Sequence, residues 1–218
     1  MSSIQHPLYE KLRNYRFILG SSSPRRHEIV QRNLGIENVI VKSSEFEENL
    51  DKTNRTIEQY VTETSLGKAK WIIEKYNSPG IEPSIILTSD TIISCNGEIF
   101  EKPGTQERQR EMFAKYKAHP QIQVMTSVTV VELRADSPPT IEQDLAITKL
   151  TFEEASFPDL VEAYIASEEG LHVAGGFKYQ ELGCLLFAGI EGDYFNVVGL
   201  PVATTFKLLQ RVILGSSS

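Results

Sequence analysis

Between positions 21 and 26 the chain sets three hydroxyls, Ser21, Ser22 and Ser23, against the paired guanidiniums Arg25 and Arg26, directly after the apolar run Phe17-Ile18-Leu19-Gly20. The order predicts a strand, a tight loop and a helix start. Ser23 suits the N-cap, where its hydroxyl accepts from a first-turn amide, and Pro24 suits the first helical position, where no amide hydrogen is missed. Arg25 and Arg26 then ride on the first turn, against a helix dipole that favours anions at that end. A phosphate would relieve the conflict, because free amides, hydroxyls and guanidinium forks all match its oxygens. A capped helix with two solvated arginines accounts for the same residues, and the local pattern leaves both readings open.

Other residues able to do chemistry follow along the chain. Ser43 to Asp51 is a dense acidic run, including Glu45, Glu47 and Glu48, with Phe46 inside it. It reads as a solvated loop or as carboxylate aimed at a metal ion. Gly67 interrupts a helical pattern next to Lys68 and Lys70, and a helix-interior glycine costs about 1 kcal/mol against alanine, so close packing or close ligand approach is the reason to look for. Lysines on helices mostly face solvent. Asp90 stands among apolar β-type residues, where a carboxylate is costly to bury, so it caps a turn or does chemistry. Lys102 follows in Glu101-Lys102-Pro103.

The elements that must position these side chains alternate. A strand at 17–19 leads to a helix from Pro24 that stops at Gly35, then a strand at 39–41. Thr56-Ile57-Glu58-Gln59 has capping-box spacing and opens the long helix through Tyr76. Strands at 84–87 and 91–95 flank Thr88-Ser89-Asp90, and Asn96-Gly97 signals a hairpin into 98–100. A helix spans Thr105 to Ala118, and strands at 122–133 and 141–152 are divided by an exposed loop at 134–139. Pro158 opens a short helix, the glycine-rich run at 174–180 makes a loop, and Cys184 to Phe187 reads as a buried strand. The last helix starts after Pro201 and buries Phe206, Leu208 and Leu209. Such alternation predicts a mixed-sheet α/β fold in a single domain over 1–214, with 215–218 as a disordered tail.

Bulk composition narrows the classes. The 218 residues are 40% hydrophobic and 23% charged, ordinary for a globular chain. A net charge of -7 argues against nucleic-acid polymers and anionic membranes as partners, so a phosphate ligand must be held by a local cluster. Cys95 and Cys184 are far apart and indicate neither zinc site nor disulfide framework, which makes a cytoplasmic location the default expectation. No run approaches the roughly 20 apolar residues of a membrane span. The P-loop, Gly-x-Gly-x-x-Gly, His-Glu-x-x-His and Gly-x-Ser-x-Gly patterns are all missing.

Taken in order, Leu19 to Arg26, Ser44-Glu45-Phe46-Glu47-Glu48, Gly67-Lys68-Ala69-Lys70, Ser89-Asp90-Thr91, Glu101-Lys102-Pro103 and Gly192 to Pro201 resemble the Maf family over nearly the whole chain. The resemblance implies an elongated mixed-sheet α/β fold similar to that of inosine triphosphate pyrophosphatases, often as a homodimer. It also implies hydrolysis of a nucleoside triphosphate to monophosphate and pyrophosphate with magnesium or another divalent metal such as manganese. By position, Ser21, Arg25 and Arg26 match the family's triphosphate loop, and Lys68 and Lys102 match phosphate-contacting lysines. Glu48 matches the functional glutamate, Asp90 the proton acceptor, and Gln180 a glutamine that helps select the base; Glu48 and Asp90 can share the metal. Departures concentrate at His172-Val173-Ala174-Gly175 and Lys178-Tyr179-Gln180-Glu181, where many members read Asp-Lys-Ala-Gly and Gly-Ile-Gln-Gly. The form of 101–103 and the Gln180 match lean towards the subgroup acting on dTTP, UTP and modified pyrimidine nucleotides. A 7-methyl-GTP pyrophosphatase and a weakly catalytic nucleotide-binding regulator of cell division are the alternatives.

Overall fold

The computed structural model describes residues 4–47, 50, 54–76, 80–135, 137–153 and 158–215. Glu48 and the tail residues 216–218 lie outside the described residues. Two compact units divide the chain: Met1–Asp90, Ser127–Ala146 and Gly199–Ser218 in the first, Thr91–Thr126 and Ile147–Val198 in the second. Among the described residues a seven-stranded mixed sheet runs β2-β1-β3-β5-β6-β7, with β4 paired to β3. Its strands are β1 Arg16–Leu19, β2 Val39–Val41, β3 Ser84–Cys95, β4 Glu98–Phe100, β5 Gln121–Arg134, β6 Ser137–Phe152 and β7 Phe187–Glu191. The division between the units falls within β3, β5 and β6. β1 pairs in parallel with β2 and β3, whereas β3/β4 and β6/β7 are antiparallel.

In the first unit, helices α1 Pro7–Leu12, α2 Pro24–Arg32, α3 Ile57–Tyr76 and α7 Val202–Leu214 accompany the strands. The capping box at the start of α3 is formed as its spacing predicts: Thr56 N–H donates to Gln59 Oε1 at 2.9 Å, and Gln59 N–H donates to Thr56 Oγ1 at 3.2 Å. Ile18, Ile86, Val131 and Leu133 pack with Ala69 and Ile72 of α3 in one apolar cluster. Strand alternation then puts Ile86, Thr88 and Asp90 on the same, α3-facing side of β3.

Gly67 is a packing glycine. A Cβ built there would stand 2.6 Å and 2.8 Å from Phe46 Cε2 and Cε1, inside van der Waals contact. Gly67→Ala is therefore expected to forfeit the gain of about 1 kcal/mol that alanine brings to a helix interior and to lose a similar amount by displacing the ring. Thermal denaturation checks this, with recovery expected when Phe46→Leu is added.

The second unit carries helices α4 Gln106–Ala118, α5 Pro158–Ala166 and α6 Tyr194–Val198 and the short 3-10 turns Ala174–Gly176 and Leu182–Leu186. Its core joins Ile93, Phe100, Phe113, Tyr116, Phe152, Tyr164 and Phe177. The Asn96-Gly97 hairpin is present, both residues at positive φ (49° and 78°) as a tight two-residue turn requires.

Several expectations need correction. Thr88-Ser89-Asp90 does not break the strand, since β3 runs unbroken for 12 residues, so Asp90 caps no turn. Residues 137–139 are strand rather than loop, because prolines are tolerated at the first positions of a strand, where a missing N–H need not enter the ladder. Cys184 to Leu186 is a 3-10 turn with Leu185 53% exposed, and the strand starts only at Phe187. α2 ends at Arg32, before Gly35. Phe206 is half-buried and lies edge-on to His6 rather than in the core.

Candidate active site

Ser21 leaves β1 at a buried position, 8% exposed. Ser23 stands at the N-cap of α2 as expected, but its hydroxyl makes no capping bond. Its backbone N–H instead donates to Ser21 Oγ at 3.2 Å, which folds the hydroxyl loop back on itself. Arg26 Nη1 also donates to Ser21 Oγ, at 3.3 Å. The same guanidinium donates from Nη1 to the Ser89 carbonyl at 3.1 Å and from Nε to the Gly199 carbonyl at 2.9 Å. Gly199 has φ 123°, a conformation that favours glycine, and so offers this carbonyl at little strain. The dipole conflict inferred for the paired arginines is thus relieved in part by carbonyl oxygens rather than by an anion alone. Arg25 is half-buried, and among the described residues its guanidinium has neither a hydrogen-bond nor a carboxylate partner.

Lys68 and Asp90 form a buried ion pair, Nζ to Oδ1 at 2.8 Å, each residue 7% exposed. This corrects the solvent-facing expectation for helix lysines at Lys68. The signal was present in the spacing: Val61, Ser65, Lys68 and Ile72 recur every three or four residues, which is the buried stripe of α3. Hydroxyls and an amide lock α3 to the sheet beside the pair. Thr88 Oγ1 donates to the Ser65 carbonyl at 2.9 Å, Ser65 Oγ and Thr129 Oγ1 share a bond of 2.8 Å, and Gln143 Nε2 donates to the Thr62 carbonyl at 2.9 Å. These bonds bear on the chemistry because a carboxylate and its counter-ion gain from each other only when both are held in place.

Unit one therefore brings Ser21, Arg26, Lys68 and Asp90 onto connected elements. Arg26 from α2 and Lys68 from α3 reach consecutive residues of β3, Ser89 through its carbonyl and Asp90 through its carboxylate. Lys102 and Gln180 belong to the second unit. Lys102 is exposed between β4 and α4. Gln180 is half-buried in the turn after Ala174–Gly176, and its Nε2 is buried with no acceptor among the described residues.

The donor chemistry suits a hard cation. Asp90 Oδ1 is taken by Lys68, while Oδ2 accepts no hydrogen bond from the described residues. Magnesium uses one or two carboxylates, fills the remaining positions with water and substrate phosphates, and fits that oxygen. Among the described residues no group of three His, Cys, Asp or Glu side chains gathers into an all-protein cage. Nor is any helix among them long and apolar enough to cross a membrane.

Residues 16–212 match the family model described as Maf-like protein. The dTTP/UTP pyrophosphatase of Saccharomyces cerevisiae is 40% identical over 205 residues, which cover 88% of each chain. That of Schizosaccharomyces pombe is 32% identical over 97% of this chain and 89% of its own, and that of Pyrococcus furiosus 36% identical over 89% and 94%. Among solved structures, a HAM1 protein from Coxiella burnetii aligns over 90% of this chain and 99% of its own, at 13% identity and a TM-score of 0.45.

Proposed function

The chain belongs to the Maf-like protein family, and on that premise we propose that it is a nucleoside triphosphate pyrophosphatase acting on dTTP, UTP and modified pyrimidine nucleotides. Water attacks the α-phosphorus, the bond to the bridging oxygen breaks, and a nucleoside monophosphate and pyrophosphate leave. The observation that carries this reading is the convergence of Arg26 and Lys68 on Ser89 and Asp90, since it sets a phosphate-type cation cluster against one buried carboxylate.

Each side chain has a stated task. Ser21 and Arg26 hold phosphate oxygens, with Arg25 reaching the same loop, and their positive charge stabilises the departing pyrophosphate. Lys68 compensates the buried charge of Asp90 and fixes the orientation of its carboxylate. Asp90 orients the attacking water and takes its proton. Asp90 and Glu48 are the proposed ligands of magnesium, which when bound supplies positive charge to the phosphates and acidifies a coordinated water. Lys102 is a further phosphate contact and Gln180 reads the base, two roles that rest on the family resemblance. A homodimer in the cytoplasm, with residues 1–214 acting as one catalytic domain, belongs to the same proposal.

Product analysis tests the reaction. Ion-exchange chromatography after incubation with magnesium and dTTP, UTP, CTP, GTP or 7-methyl-GTP is expected to give monophosphate and pyrophosphate from dTTP and UTP. Orthophosphate with diphosphate would place attack at the γ-phosphorus and overturn the proposal. No product from any of the nucleotides would leave a binding protein.

A further inference from the structure

The glycine-rich loop that leads to Gln180 is held from three sides by side chains with no assigned part in catalysis. Gly175 and Gly176 both sit at positive φ, 74° and 77°, so the loop's own backbone is permissive. Its position comes from outside. Tyr116 of α4, fully buried, donates its hydroxyl to the Gly175 carbonyl at 3.1 Å. Gln109, two turns earlier on the same face of α4 and also fully buried, donates Nε2 to the Gly176 carbonyl at 2.7 Å. Tyr164 of α5, 3% exposed, accepts the Lys178 N–H on its hydroxyl at 3.0 Å, two residues before Gln180. The Gly175 N–H also donates to the Glu101 carbonyl at 3.2 Å. On the far side the chain packs closely, since a Cβ at Gly183 would stand 2.6 Å from the Lys178 carbonyl oxygen.

Among the described residues this clamp ends in a donor without an acceptor, Gln180 Nε2. A buried amide hydrogen without a partner costs free energy that a ligand carbonyl can return. Uracil and thymine carry a carbonyl at the 4-position, whereas cytosine carries an amino group there. One hydrogen bond can separate these bases only if its donor is held within a few tenths of an ångström, which an unclamped glycine loop does not do.

We propose that Tyr164, backed by Gln109 and Tyr116, is a positioning residue for base selection: by anchoring Lys178 N–H it sets Gln180 to favour a 4-carbonyl pyrimidine over cytosine. The proposal rests on the reading of Gln180 as the base contact. Burial also pushes the Tyr164 phenol well above its ordinary range.

The test is read by binding rather than turnover. Titration calorimetry of the full chain without magnesium gives the dissociation constants of UTP and CTP. Wild-type protein is expected to prefer UTP, and Tyr164→Phe to reduce the UTP to CTP preference by roughly tenfold, while UTP binding itself weakens less. Gln109→Leu loosens the loop from the other side and is expected to reduce the preference as well, which keeps the test valid if one variant folds poorly. A ratio unchanged in both variants, or a wild-type ratio near one, overturns the clamp. Absent turnover with the ratio intact would strike the hydrolase reading alone.

Discussion

Asp90→Asn is expected to lower pyrophosphate release from dTTP by about 10²–10⁴-fold, the usual worth of a positioned general base. Asparagine keeps the size of the side chain and an oxygen for Lys68, but its amide cannot take the water's proton. The substitution also leaves the Lys68 ammonium facing a neutral group at a position only 7% exposed. Removing one partner of a buried pair outright costs about 3–5 kcal/mol, and asparagine, which still accepts a hydrogen bond, should cost less than that. Turnover and thermal midpoint must therefore be read together at a temperature where the variant is folded. A loss below tenfold in folded protein would move the proton acceptor away from Asp90.

Arg26→Ala ranks next, with an expected loss in kcat of about 10²–10³-fold, the scale seen when one donor to a developing anion is removed. The guanidinium does two things at once. It supplies charge, and its fork ties the hydroxyl loop at Ser21 to the carbonyls of Ser89 and Gly199. Arg26→Lys separates the two, because an ammonium keeps the charge but not the planar fork. Steady-state kinetics should place lysine between alanine and wild type. Full activity in the alanine variant would remove Arg26 from the phosphate clamp, and full activity in the lysine variant would show that charge alone suffices.

What the sequence made legible was mostly local chemistry. The strand before the hydroxyl loop, the helix start at Pro24, the Thr56–Gln59 box and the Asn96-Gly97 hairpin each depend on a few neighbouring residues and stand as read, whereas the Ser23 hydroxyl cap and the stop at Gly35 do not. Long-range burial was harder to see. Thr88-Ser89-Asp90 looks like a turn because its side chains are polar, yet the hydroxyl of Thr88 is spent on the Ser65 carbonyl and the carboxylate on Lys68. Both partners lie on a helix some twenty residues earlier, so the strand runs on where propensity alone would break it. Leu185 shows the reverse error: apolar composition suggested burial, but the 3-10 turn exposes it. Gln109 and Tyr116 carried a readable helical pattern without any sign that their polar atoms bind a loop nearly sixty residues away or more.

The contact of Phe46 with Gly67 carries an evolutionary consequence. Position 67 precedes Lys68 on α3, and position 46 lies two residues before Glu48 in the sequence, so the pair joins the stretches that hold two proposed functional residues. The ring occupies the volume that any side chain at 67 would need. Relatives should then vary at these positions as a couple: glycine at 67 wherever 46 is aromatic, and a larger residue at 67 only where 46 has become small. Lineages that change one position alone would pass through a destabilised intermediate. An aromatic at 46 with a bulky residue at 67 should accordingly be the rarest of the four combinations.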